Sequence, residues 1–167
     1  MQKYSKFMIA LHWATALLIL AAYITAEGGR TVRLDPPVLH FLFGLSVLVL
    51  VVPRLLARLI GGTPPAVSHG WLLDLAAKIG HGVLYILMVA LPLSGWYAAS
   101  KMGVAVNLYG LELPRLAAPA AFSPGPIPEL HEIGGDIILI LAGLHAAIAL
   151  WHHFVSHDGT LTRMSPI

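Results

Sequence analysis

The chain has 167 residues, of which 57% are hydrophobic and 11% are charged. A water-soluble domain carries roughly 25% charged residues, so this composition predicts a protein of the lipid bilayer. The net charge of +2 is too small for a nucleic-acid-binding protein, so no nucleic acid is expected as a partner. Cysteine is absent, which excludes disulfides, thiolate-bound iron–sulfur clusters and covalent attachment of a haem through Cys-x-x-Cys-His.

Four apolar segments are each long enough to cross a ~30 Å hydrocarbon core as a helix. These predicted helices cover approximately residues 7–26, 37–60, 74–100 and 128–156. The sequence thus predicts an all-α fold, an integral membrane four-helix bundle that forms a single transmembrane domain over residues 1–167. The first segment has no cleavage site of the signal-peptide type, so we expect it to be retained. The longest connection, Lys101–Pro128, contains five prolines and is predicted to cross the membrane surface, with Val104–Leu111 as a short interfacial piece.

Lysines and arginines predict the orientation, because the cytoplasmic loops of membrane proteins carry an excess of them. With a cytoplasmic N-terminus, the cytoplasmic side has six: Lys3, Lys6, Arg54, Arg58, Lys78 and Arg163. The opposite side has four: Arg30, Arg33, Lys101 and Arg115. Acids such as Glu27 are more numerous on that opposite side. We therefore expect both termini of this multi-pass membrane protein to be cytoplasmic.

Histidine is expensive inside a bilayer, so several intramembrane histidines indicate a functional site. His131 and His145 lie fourteen residues apart in the last predicted helix, which separates them by ~21 Å on faces within roughly 40° of each other. His12 in the first predicted helix matches the depth of His145, and His40 in the second matches His131. Each pair can hold one iron from both sides. Such bis-histidine ligation leaves no open position, which suits electron transfer better than oxygen binding.

Small residues follow each of these four histidines by one helical turn. They are Ala16, Gly44, Gly135 and Ala149. Because residues four apart share a helix face, they leave room beside each histidine for a flat macrocycle. Close packing of membrane helices favours small residues as well, so the pattern alone does not distinguish space for a macrocycle from close helix packing.

Two further histidines compete for the inner, cytoplasmic site. His81 in the third predicted helix reaches the same depth, where it either displaces His12 as a ligand or hydrogen-bonds to a propionate or a quinone. His152 follows His145 by seven residues on nearly the same face and is the main rival ligand. The other histidines, at positions 69, 153 and 157, are interpreted as loop or interfacial residues.

Among the charged residues within the predicted membrane helices, Arg54 and Asp136 are candidates for a functional role. Arg54 follows His40 by fourteen residues, at the inner level, where it either pairs with haem propionates or anchors the helix at the cytoplasmic surface. Arg54, with His81 and His152, is also a candidate contact for quinone. Asp136 is either a proton acceptor coupled to quinone chemistry or a hydrogen-bonded acid near the surface.

The motifs around these histidines resemble the bacterial cytochrome b561 family over nearly the whole chain. They read KYSKFMIALHW (3–13), VLHFLFG (38–44), RLLARL (54–59), GHGVLYILMVALPLSGW (80–96) and LHEIGGDIILILAGLHAAIALWHHF (130–154). The resemblance implies a four-helix cytochrome of the bacterial inner membrane with two b-type haems and electron exchange with ubiquinone as substrate. It also implies that the iron ligands are His12, His40, His131 and His145.

Three functions are compatible with these residues and motifs. The first is a quinone-linked oxidoreductase that takes electrons from a small periplasmic donor; the resemblance extends to superoxide oxidases, which pass electrons from superoxide to ubiquinone. The second is a membrane anchor and electron relay for a separate dehydrogenase or hydrogenase, which requires a partner subunit. The third is a haem-free transporter or proton pathway, which predicts no visible absorption. Lys101 and Arg115 in the outer loop would attract an anion, although acids lie nearby.

Overall fold

The computed structural model describes residues 2–26, 32, 34–61, 64 and 70–165. Glu27, Arg30, Arg33 and His69, which the sequence-based predictions include, lie outside these described residues. Within them the chain forms four long helices. They are α1 (Lys6–Ile24), α2 (Val38–Ile60), α3 (Trp71–Lys101) and α4 (Ile127–Trp151).

Each of the four helices is long and apolar enough to cross a membrane, which confirms the all-α membrane bundle. A helix satisfies its own backbone groups, and in hydrocarbon nothing else can do so. Polar side chains inside the helices are likewise hydrogen-bonded within their own helix. The hydroxyl of Thr15 donates to the carbonyl of Leu11 (2.6 Å), and that of Ser46 donates to the carbonyl of Leu42 (2.7 Å). At the start of α1, the hydroxyl of Ser5 accepts from the amide of Met8.

The long connection after α3 contains a β-hairpin where the sequence predicted a single interfacial piece. Strand β1 (Val106–Leu108) pairs antiparallel with β2 (Leu111–Leu113). Tyr109 and Gly110 form the two-residue turn with positive φ angles of 51° and 86°, the conformation that favours tight hairpins. The Tyr109 hydroxyl lies 2.9 Å from that of Ser46 in α2, so the hairpin docks along the bundle.

The last helix changes geometry near its end. The α-helix was predicted to run to residue 156, but it ends at Trp151 and continues as a π-helical turn over His152–Ser156. His157 then adopts a left-handed conformation with a φ of 50°, which ends the turn. A short 3-10 helix, Leu161–Arg163, follows.

The helices form a closed ring in which α1 contacts α2, α2 contacts α3, α3 contacts α4, and α4 contacts α1. We call the end that carries β1 and β2 the hairpin end, and the opposite end, where residues 4 and 163 meet, the terminal end. Two buried apolar clusters join the helices. One lies under the hairpin and contains Leu45, Ala99, Val104 and Val106. The other lies in the middle of the bundle and contains Val47, Val51, Met88 and Ile138.

Candidate functional site

Two histidines from different helices meet at the hairpin end. His40 lies in the first turn of α2, and His131 lies near the start of α4. Their ring centroids are 5.7 Å apart, and the ring planes are almost perpendicular at 89°. Two imidazoles that bind one metal from opposite sides, each through a bond of ~2.0 Å, have centroids roughly 6 Å apart. The spacing of this pair, which we call the outer pair, therefore suits one metal ion between the rings.

Hydrogen bonds fix which nitrogen of each ring is free. Nδ1 of His40 lies 2.8 Å from the carbonyl oxygen of Ala22, which can only accept, so Nδ1 carries the proton. Nδ1 of His131 lies 3.1 Å from the hydroxyl of Ser94. That hydroxyl already donates to the carbonyl of Leu91, so it accepts from the ring. Both rings thus keep the lone pair of Nε2 for a metal, and their partners hold them in orientation.

The outer pair lies in a cavity of about 690 Å³ between the four helices. Gly44 and Gly135 line it, and a Cβ atom added to either would meet nothing within 4 Å. The volume falls within the ~300–1,000 Å³ of pockets that hold cofactors and small ligands. The small residues one turn after His40 and His131 therefore border open space, as a flat macrocycle requires.

Gly95 allows His131 to reach this position. A Cβ atom at position 95 would lie 2.7 Å from Cε1 of the His131 ring. The sequence motifs did not predict Gly95, Ser94 or the Ala22 carbonyl as parts of the site. Their roles depend on how α1, α3 and α4 rotate against one another, which the motif pattern does not encode.

Three histidines and an arginine meet deeper in the bundle towards the terminal end. They are His12, Arg54, His81 and His145, and we call them the inner cluster. The ring of His145 lies 6.3 Å from that of His12 and 5.2 Å from that of His81. The structure thus places His81 beside the predicted pair of His12 and His145, and both rings are neighbours of His145.

Hydrogen bonds distinguish the two neighbours of His145. Nη2 of Arg54 lies 2.8 Å from Nδ1 of His12, and because a guanidinium only donates, Nδ1 of His12 accepts. Nδ1 of His81 lies 2.7 Å from the carbonyl oxygen of Ala77, so it donates. In this arrangement His81 has its proton on Nδ1, so its Nε2 is free. His12 has its proton on Nε2, and it can bind iron through that atom only after the contact of Nδ1 with Arg54 is broken.

Arg54 belongs to a cationic corner of the inner cluster. Its guanidinium lies 5.4 Å from the ring centroid of Tyr85, and that of Arg58 lies 5.9 Å from the same centroid. The Nε atom of Arg54 is buried and has no hydrogen-bond partner among the described residues. A buried, unsatisfied guanidinium nitrogen fits an anionic group such as a carboxylate. Tyr85 was not predicted, although it follows His81 by one turn on α3.

His152, the predicted rival ligand, hydrogen-bonds elsewhere. Its Nδ1 contacts Oδ2 of Asp158 at the base of the π-helical turn. This contact turns one ring nitrogen towards the segment that follows α4. The contact of His152 with quinone stays a prediction.

The two groups of residues meet the requirements of b-type haem. At the outer pair there are two imidazoles with centroids 5.7 Å apart and free Nε2 atoms, and open space lies beside two glycines. At the inner cluster there are imidazoles around His145 and a buried guanidinium that can receive a propionate. Residues 131 and 145 are separated by ~21 Å along α4, so the two groups lie at different depths.

Comparison with known proteins identifies the family of the chain. The model of the prokaryotic cytochrome b561 family matches residues 3–166. The chain is 33% identical to a probable superoxide oxidase CybB of Yersinia pestis, with 99% of this chain and 97% of that protein covered. It is 31% identical to cytochrome b561 homolog 1 of Escherichia coli strain K12 (99% and 98% covered). It is also 31% identical to a cytochrome b562 of Cereibacter sphaeroides (96% and 94% covered).

The match of the family model covers almost the entire chain, and the four membrane-crossing helices agree with it. The chain therefore belongs to the prokaryotic cytochrome b561 family, as a multi-pass bacterial membrane cytochrome that transfers electrons through b-type haem.

Proposed function

We propose that this cytochrome binds two b-type haems and passes electrons from a small periplasmic donor to ubiquinone. The outer pair, His40 and His131, binds one haem iron, and His12 and His145 bind the other. The observation that carries the proposal is the outer pair. Its ring centroids are 5.7 Å apart, and both Nδ1 atoms are held by acceptors from neighbouring helices.

The chain's own residues hold and orient the cofactors. Ala22 and Ser94 keep the proton of each outer imidazole on Nδ1, which makes Nε2 the ligand atom and increases its basicity. Gly44 and Gly135 leave the macrocycle its space. Bound in this way, haem supplies a one-electron centre at each end of the bundle.

At the inner cluster, we assign the second ligand to His12 because its separation from His145, 6.3 Å, matches the expected ~6 Å. With haem bound, Arg54 would no longer donate to Nδ1 of His12, and its guanidinium would hold a propionate. His81 stays bonded to Ala77 and contacts the propionate or the quinone with Nε2. His152 and Arg54 are the other proposed quinone contacts.

The proposed reaction links two superoxide anions to one quinone. Each superoxide gives up one electron and becomes O2; ubiquinone takes the two electrons and two protons and becomes ubiquinol. The name of the Yersinia pestis relative supports superoxide as donor. The terminal end lies at the cytoplasmic face of the inner membrane, in agreement with the excess of lysine and arginine at that end.

The ligand assignment predicts how much haem each variant retains. Purified wild-type protein should show a b-type α band and two haems per chain in a pyridine haemochrome assay. His131→Ala and His145→Ala should each retain about one haem, because each removes one ligand of a different pair. His12→Ala should lose the same haem as His145→Ala, whereas His81→Ala should keep both.

The matched substitutions at His12 and His81 decide between the two neighbours of His145. Loss of haem in His81→Ala, together with full retention in His12→Ala, would reverse the assignment of the inner ligand. A wild-type protein with one haem per chain would contradict the two-haem proposal as a whole.

The proposed reaction has its own test. Superoxide generated enzymatically should reduce the haems of the purified protein, and added ubiquinone should become ubiquinol in proportion to the superoxide consumed. His131→Ala should lose this activity while its remaining haem is still reduced by dithionite. A two-haem protein that superoxide does not reduce would exclude superoxide as the donor.

A further inference from the structure

Asp136 is an acid within the membrane-crossing part of α4. It follows His131 by five residues, and its Oδ1 accepts a hydrogen bond of 3.0 Å from the hydroxyl of Tyr23 in α1. An ionisable residue at this depth is costly in hydrocarbon and has a function by default. The tyrosine gives the carboxylate a fixed partner from the neighbouring helix α1.

The Tyr23–Asp136 pair faces the same cavity as the outer pair. Both residues line it together with His40 and His131. Tyr23 also follows Ala22 directly, and the Ala22 carbonyl holds Nδ1 of His40. One turn of α1 therefore positions both an imidazole of the outer pair and the carboxylate beside it.

The inner cluster contains cations, in contrast to the acid beside the outer pair. Arg54 and Arg58 flank Tyr85 there, and Arg54 contacts His12. The cavity of the outer pair has Asp136 and Glu132 in its lining and no lysine or arginine among its described lining residues. Among the described residues, acids thus line the cavity of one pair of histidines and cations lie beside the other.

We propose that Asp136, held by Tyr23, lowers the midpoint potential of the haem at the outer pair, so that electrons run downhill from the outer haem to the inner one. A nearby negative charge stabilises the oxidised iron over the reduced iron. The cations of the inner cluster raise the midpoint potential of the inner haem. The inference rests on the two-haem proposal and adds a direction to it.

A redox titration of Asp136→Asn followed at the α band tests this inference. The asparagine keeps an oxygen for the Tyr23 hydroxyl but removes the charge. Of the two midpoint potentials, the one that is absent in His131→Ala should rise, and the other should not change.

Glu112→Gln is the matched control, because it removes one carboxylate from the exposed hairpin at the same end of the bundle and should shift neither potential. Asp136→Glu, which keeps the charge, should stay closer to wild type than Asp136→Asn.

Unchanged potentials in an Asp136→Asn protein that binds two haems would overturn the inference, and so would equal shifts in the asparagine and glutamate variants. Either result leaves the haem counts, and hence the two-haem proposal, intact. If Asp136→Asn does not accumulate, wild-type protein labelled with ¹³C-aspartate replaces it in redox-induced infrared difference spectroscopy. A labelled carboxylate band that moves when the outer haem is reduced supports the inference; no such band overturns it.

Discussion

Gly95 leaves the space in which the imidazole of His131 lies. We expect Gly95→Ala to displace that ring, because the new Cβ atom would lie 2.7 Å from Cε1. The haem at the outer pair should be lost or weakened, so that haem per chain falls from two towards one while the inner haem keeps its spectrum. Gly80→Ala on the same helix is the control, since a Cβ atom there meets nothing within 4 Å. Equal haem contents in the two variants would contradict the role of Gly95.

Individual side chains also mark the limit of what the sequence predicts about the site. The rise of an α-helix fixes depth, so spacing alone predicted that His40 would lie level with His131 and His12 level with His145. Spacing does not fix the rotation of a helix about its axis. The roles of Ser94 and Tyr85 depend on that rotation, and so does the contact between Arg54 and His12, which lie in different helices.

Among the secondary-structure elements, the helices were the easier prediction. Long uncharged runs in a bilayer must form helices, because hydrocarbon offers backbone groups no other partner. The hairpin was missed because its turn places Tyr109, a bulky residue, at a positive φ angle. Asn-Gly or Asp-Gly is the usual signal for such a turn, and Tyr-Gly is a weak one. The π-helical turn after Trp151 has no comparable sequence signal.

The hairpin turn provides a prediction about stability. Gly110 has a φ of 86°, so Gly110→Val should strain the turn and destabilise the protein by about 1–3 kcal/mol. The contact between the hydroxyls of Tyr109 and Ser46 should weaken as a result. Thermal unfolding in detergent measures the effect. Ala118→Val is the control. It introduces the same valine side chain at an exposed position of the same connection that has no positive φ angle, and it should leave the midpoint temperature unchanged.

At the scale of the whole molecule, the segment after α4 closes the terminal end of the bundle. The Trp13 indole donates to the carbonyl of Met164 (2.8 Å), and the Tyr4 amide donates to the carbonyl of Arg163 (3.2 Å). Asp158 anchors the same segment through His152 and the amide of Thr160. These contacts join α4 to the beginning of α1 next to the inner cluster.

This closure should be sensitive to acid. Desolvation opposes ionisation of Asp158, but hydrogen bonds from Thr160 and His152 outweigh it and lower its pKa from 3.8 to about 2. A carboxyl group with a lowered pKa in the folded state stabilises the fold fully above its ordinary pKa, and this contribution disappears as the pH falls from about 4 to about 2. The difference in thermal midpoint between wild type and Asp158→Asn should therefore be constant above about pH 4 and shrink below it. A difference that does not change with pH would contradict the role of the ionised carboxylate.

The proposed ligand pairs share one property: each takes a histidine from α4, His131 or His145, and its partner from a helix made earlier. A ribosome inserting this chain would place α1, α2 and α3 in the membrane before either iron could gain its second axial ligand. Haem loading would then be a late event in biogenesis for both cofactors at once. A nascent chain stalled before α4 would contain neither complete pair of axial ligands.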